Sequence, residues 1–152
     1  FMLDIEDFKK SIGNKSRLLG IDPGKKRIGL AISDEDKLVS TPLKTILKKK
    51  FFDLIKEIKE IIEENNIKGI IVGNPLNMDG SKGSSSQSSN DFARNLSNNI
   101  SIPVTMWDER LSSEGAFKLS ANTGVNTSKK IEKLDQNAAS FILQGALDYL
   151  KR

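Results

Sequence analysis

Apolar and polar positions follow two periods along the chain. Residues 3–16 carry Leu3, Ile5, Phe8 and Ile12 among charges, which predicts a short, weakly amphipathic helix or an extended lead-in. Residues 17–22 and 28–33 are apolar runs joined by Asp-Pro-Gly, the pattern of a strand hairpin. A third strand is predicted from about Leu38 to Ile46, broken near Pro42. Residues 51–65 have a helical period, with Phe51, Leu54, Ile55, Ile58, Ile61 and Ile62 on one stripe and Lys56, Glu57, Lys59, Glu60 and Glu63 on the other.

Residues 69–73 are continuously apolar, as in a strand covered on both faces. Residues 77–90 are rich in serine and glycine and read as a mobile polar loop. A helix is expected over 90–99, with Phe92, Ala93 and Leu96 inward, then a strand from Val104 to Trp107 that stops at Asp108 and Glu109. Ser112 suits the N-cap of a helix to about Ala121. A polar loop over 122–130 leads to a last helix over 132–151, with Leu134, Ala138, Phe141, Ile142, Gly145 and Tyr149 inward.

The predicted order, β-β-β-α-β-α-β-α-α, places the chain in the α/β class. Three antiparallel strands would lead into parallel crossovers, giving a mixed five-stranded sheet with helices on both faces. With 152 residues and no repeat, one domain over 1–152 is expected, 1–16 being its lead-in. Phe1 ahead of Met2 reads as a residue added to a native chain that starts at Met2. Neither a secretory signal nor a run of roughly 20 apolar residues is present, so no membrane partner is expected.

Composition narrows the chemistry. The chain has no cysteine and no histidine. Disulfides, thiolate metal sites and Ser-His-Asp catalysis are therefore excluded. Carboxylates, lysines or a hard cation must carry any reaction.

Asp22 ends the first strand and Asp108 the last, and Asp135 lies near the start of the final helix. In such a sheet, sites form beyond the carboxyl ends of the parallel strands. Each acid has an ordinary reading when taken singly, as a turn former, a surface turn or an early-helix acid. Their convergence would need cations to offset the repulsion. One or two Mg²⁺ or Mn²⁺ ions are inferred, held by Asp22, Asp108 and Asp135. Glu109 adjoins Asp108, and in an extended strand the two would face opposite ways, so either is open as the coordinating acid. Glycines on both sides of Asp22 would let a phosphate or metal approach the backbone.

The net charge is +4. Lys25, Lys26, Arg27, Arg110, Lys129 and Lys130 adjoin the acids in sequence and are candidate phosphate contacts. Lys48, Lys49 and Lys50 are expected to be solvated, away from the site, and Trp107 to be core.

Four motifs carry a resemblance. They are Gly20-Ile21-Asp22-Pro23-Gly24 with Arg27 and Gly29, Val72-Gly73 with Pro75-Leu76-Asn77-Met78-Asp79-Gly80-Ser81, Asp108-Glu109-Arg110-Leu111-Ser112, and Asp135-Gln136-Asn137-Ala138-Ala139 followed by Ile142-Leu143-Gln144. Together they resemble the YqgF/RuvX family of the ribonuclease H-like superfamily. The resemblance implies a ribonuclease H-like fold, a cytoplasmic bacterial protein and Mg²⁺-dependent phosphodiester hydrolysis. Asp22, Asp108 or Glu109, and Asp135 would take the acidic positions. The first expected role is maturation of the 5′ end of pre-16S ribosomal RNA. Cleavage of a Holliday junction, which would call for a homodimer, is the alternative, and a non-catalytic nucleic-acid-binding factor is the next. Two departures stand out: Asn74 where the family has leucine, and a loop over 84–89 that is dominated by serine.

Overall fold

The helix and strand boundaries follow the local chemistry closely. The structure, a computed structural model, describes residues 2–75, 83–109 and 127–151, with backbone alone at 84, 85 and 127–137. Helix α1 (Ile5–Ile12) starts where Asp4 accepts a hydrogen bond from the Asp7 amide, and ends at Gly13 with φ of 72°. Strands β1 (Arg17–Pro23), β2 (Arg27–Ser33) and β3 (Ser40–Leu47) follow, then α2 (Phe51–Glu64), β4 (Ile67–Asn74), α3 (Ser84–Asn99), β5 (Val104–Asp108) and α4 (Thr127–Leu150).

The five strands form one sheet in the order β3-β2-β1-β4-β5. The β1–β2 and β2–β3 pairs are antiparallel, and β1–β4 and β4–β5 are parallel. This is the expected mixed architecture. The predicted break near Pro42 is a one-residue bulge: Leu30 pairs with Lys44 and Ala31 with Pro42, so Leu43 is passed over. β3 is an edge strand, where a residue without an amide proton is tolerated.

Alternation along the inner strands splits the core into two layers. Leu19, Ile21, Ile70, Val72 and Val104 pack with Leu54, Ile55 and Ile58 of α2 and Ala93 and Leu96 of α3. Leu18, Ile71 and Trp107 pack on the other face with Phe8 and Ile12 of α1 and Ile142, Leu143, Ala146 and Leu147 of α4. Trp107 is core as expected, 5% exposed, with its ring 5.6 Å from that of Tyr149.

Three expectations are corrected. Residues 84–89 are the first turns of α3 rather than part of a polar loop. Serine is a poor helix former, so sequence pattern alone would not place a helix there. Tertiary contacts hold it instead: Ser86 donates to Asn74 Oδ1 at 2.7 Å, and Ser89 is buried. The last helix begins at Thr127, five residues earlier than the pattern predicts. Its buried stripe is Ala139, Ile142, Leu143, Ala146, Leu147 and Leu150. Ala138, Phe141, Gly145 and Tyr149 flank that stripe and are half-buried. Residues 77–82, the predicted helix over 112–121 and the 122–126 part of the second loop lie outside the described residues, as does the side chain of Leu134. No helix among the described residues is long and apolar enough to cross a membrane.

Candidate active site at the carboxyl edge of the sheet

Because β1, β4 and β5 are parallel, their carboxyl ends share one edge of the sheet. Asp22, Asn74 and Asp108 lie at those ends, and the turn that carries Lys25 and Lys26 stands beside them. Strand alternation then assigns faces. Gly20 faces α4: a Cβ there would lie 2.8 Å from Leu143 Cβ and 3.3 Å from the Ala139 carbonyl oxygen. Asp22, two residues on, shares that face.

Glu109 comes to the same place from β5, although β4 lies between β5 and β1. Strands two apart in a sheet are separated by about 10 Å, twice the interstrand spacing. A side chain on the intervening strand would block the path. At that point β4 has Gly73, and a Cβ built there would stand 3.4 Å from both Glu109 Cγ and Glu109 Oε1. The vacant side-chain position lets Glu109 lean over β4 and form a hydrogen bond with Asp22.

The electrostatics follow from this meeting. Burial, then the charge and hydrogen bond of Asp22, then the charge of Asp108, push the Glu109 carboxyl up to about 8. The shift favours the protonated form of the Glu109 carboxyl at neutral pH when no cation is bound beside it. Such a pair of half-buried oxygen donors suits a hard divalent ion.

The sequence candidates are distributed as follows. Asp22 and Glu109 meet. Asp108 is the Cα partner of Asn74, and its charge reaches Glu109. Val104 and Met106 pack on the α2/α3 face, so by alternation Asp108 belongs to that face. Asp135 belongs to α4, one helical turn before Ala139. Its side chain lies outside the described residues, as do Arg110 and the side chains of Lys129 and Lys130. Among the described residues no three acids form a cluster able to hold a metal. Lys25 and Lys26 are exposed and Arg27 half-buried in and beside the β1–β2 turn.

Three features add to what the sequence pattern indicates. The glycines around Asp22 have structural work. Gly20 seats α4, and Gly24 closes the turn, where a Cβ would lie 2.4 Å from the Arg27 carbonyl oxygen. Lys48 is exposed, as expected, but it lies beside the β1–β2 turn: its amide donates to the Lys26 carbonyl at 2.9 Å. Gly73 was quoted only within a motif. A glycine inside a strand can mark close approach, but β4 has two, Gly69 and Gly73, and the sequence does not say which neighbour approaches either.

The family model described as "RuvX: Holliday junction resolvase" matches residues 16–149. A protein of Pelagibacter ubique (strain HTCC1062) is 58% identical over 149 residues, covering 98% of this chain and 99% of that one. A second, from Ruegeria sp. (strain TM1040), is 44% identical over 146 residues, covering 96% and 93%. Both bear the name "Putative pre-16S rRNA nuclease". Among solved structures, Thermus thermophilus RuvC aligns with a TM-score of 0.54 at 12% identity, over 88% of this chain and 95% of that one. The same T. thermophilus protein in complex with Holliday junction substrate gives 0.53 over 88% and 94%. The RuvC likeness establishes the ribonuclease H-like fold that the strand order and the two helical layers describe. By the extent of the family match and the identity to these relatives, the chain belongs to the RuvX family.

Proposed function

We propose that the protein is a Mg²⁺-dependent nuclease that hydrolyses phosphodiester bonds of precursor 16S ribosomal RNA. The observation that carries this reading is the meeting of Asp22 and Glu109 over Gly73 at the carboxyl edge of the sheet. In a chain without histidine or cysteine a metal-assisted route suits this chemistry, and the names of its relatives point to the substrate. Asp22 and Glu109 would hold the ion, with Asp108 adding negative charge beside them. Asp135 is the third candidate, because its turn of α4 precedes the turn seated on Gly20.

A divalent ion bound there would supply activation of the attacking water and neutralisation of the leaving oxygen. The chain itself supplies orientation. Asp22 is fixed by β1 between two neighbouring strands. Glu109 is held against Gly73 and Asp22, and is poised to give up its proton when a cation arrives. Lys25, Lys26 and Arg27 would hold the phosphodiester backbone across the strand end.

The test is cleavage of precursor 16S RNA and of a synthetic four-way DNA junction by wild type and Asp22→Asn, with Mg²⁺ and with chelator. Asp22→Asn is expected to lower the rate by more than the roughly 10–100-fold typical of changes in a metal site's outer shell. Cleavage that persists in the variant or in chelator overturns the reading. The family's description and the RuvC likeness favour a second substrate, the four-way junction. Paired incisions there need two sites related by a two-fold axis. Junction cleavage by a sedimenting dimer would select that substrate.

A further inference from the structure

A small cleft opens on the other side of the strand end that carries Asp22. It has a volume of about 90 Å³ and is lined by Gly24, Lys25, Lys48, Ser88 and Phe92, among others. Its floor includes Ile28, which belongs to the α2/α3 core layer, and Phe92 packs against that same layer. The cleft therefore faces the α3 side, whereas Asp22 and Glu109 face the α4 side. Asp22 and Pro23, consecutive residues of β1, divide the two: Pro23 also lines the cleft.

Residues distant in sequence build this cleft. Arg27 pairs with Leu47 at the last rung of the β2–β3 ladder, and Lys48 follows with its amide on the Lys26 carbonyl. That register brings a second ammonium group to Lys25. No acid is among the described residues that line the cleft. The neighbouring lysines differ: Lys44 and Lys49 lie 3.1 and 2.5 Å from the Glu57 carboxylate. Two ammonium groups, a hydroxyl and an aromatic ring around so small a space suit a phosphate-sized anion.

We infer that this cleft is a binding subsite for the phosphodiester backbone, taking a phosphate next to the one hydrolysed. Lys25 and Lys48 are its counter-ions, Ser88 donates a hydrogen bond, and Phe92 packs against the adjoining sugar. A strand crossing the sheet edge would then lie with one phosphate on each side of β1. The inference rests on the nuclease reading and adds contacts from β3 and α3 to those of the β1–β2 turn.

Binding to the full chain in chelator tests it, by fluorescence anisotropy across a potassium chloride series. The probes are a fluorescein-labelled four-way DNA junction and a labelled fragment spanning the 5′ end of precursor 16S RNA. Lys48→Ala is expected to weaken binding about 3- to 10-fold at low salt and to reduce the salt slope by about 0.7–0.9, one phosphate contact. Ser88→Asp should weaken it at least as much, and Lys48→Arg should restore it. Lys68→Ala, at the opposite end of the sheet, should change neither quantity. All these side chains are exposed, so the variants are expected to fold. A Lys48→Ala slope equal to wild type on both probes, while wild type cleaves, overturns the subsite alone. Failure of wild type to bind either probe overturns the subsite together with the nuclease reading. A loss on only one probe keeps the subsite and identifies its nucleic acid.

Discussion

The two ends of the sheet handle charge in opposite ways. At the amino end of β1 and β4, a groove of about 380 Å³ is lined by Lys15, Arg17 and Lys68 interleaved with Glu35 and Glu64. Lys15 also forms an ion pair with Asp36. At the carboxyl end, like charges are gathered instead: Asp22 against Glu109, and Lys25 beside Lys48. The first arrangement is what charge neutralisation produces on any surface. The second works against stability, because a half-buried carboxylate is pressed against another. Departures from local consistency of this kind are expected at functional sites. The comparison thus favours the carboxyl end as the candidate site without appeal to any family pattern.

Substitutions at each end sharpen the contrast. The largest stability effect is expected for Gly73→Ala. Its Cβ would meet Ile142 Cδ1 at 2.7 Å, so that side-chain end must move, and would stand in contact with Glu109, 3.4 Å from its Cγ and Oε1. Overpacking of this kind costs about 1–3 kcal/mol, or roughly 2–12 °C in Tm for a chain of this size. Thermal melts check the first effect. Loss of Mg²⁺-dependent cleavage beyond what the lower stability explains checks the second.

Glu109→Gln should act in the opposite direction on stability. The native carboxyl titrates near 8, well above its unfolded value. The native state therefore binds more protons than the unfolded chain between about pH 4.5 and 8, and wild-type stability falls as pH rises through that window. The amide has no such loss. In chelator the variant's Tm should exceed that of wild type at pH 8.5 and converge with it near pH 4.5, while cleavage is lost. Added Mg²⁺ should raise the wild-type Tm more than the variant's. A Tm difference independent of pH would contradict the pairing of Asp22 with Glu109.

The smallest effect is expected at the amino end. Lys15→Ala removes an ion pair whose partners are 69% and 54% exposed. The stability change should stay below about 1 kcal/mol, and cleavage and nucleic-acid affinity should not change. A large effect there would remove the distinction between the two ends.

The sheet was legible in the sequence because its signals are local. Alternation marks β1 and β2, continuous apolarity marks β4, and the terminal acids mark the strand ends. The candidate site was legible as far as Asp22 and the Asp108–Glu109 pair. Which of the pair meets Asp22 depends on Gly73, a contact across three strands that no local pattern contains. The place of Lys48 beside the β1–β2 turn was not legible for the same reason, since only the β2–β3 register carries its amide to the Lys26 carbonyl. The start of α3 was missed because serine gives no helical signal and Gly83 offers no side-chain cap. Its support comes from Asn74, so the two departures from the family pattern are one contact: Ser86 donates to Asn74. Ser86→Ala should loosen the first turns of α3 by about 1 kcal/mol, measurable as faster amide exchange at residues 87–90.

The seating of α4 on Gly20 has a consequence for how such a site survives mutation. Where the helix rests on another segment's peptide groups it touches something every amino acid possesses, so its height at that point does not depend on a particular side chain of the strand. A replacement at the seat itself is harder to absorb, because a Cβ there would meet Leu143 Cβ at 2.8 Å. Drift in the surrounding surface can therefore retune which nucleic acid is gripped while the spacing between the helix and the end of β1 stays constant.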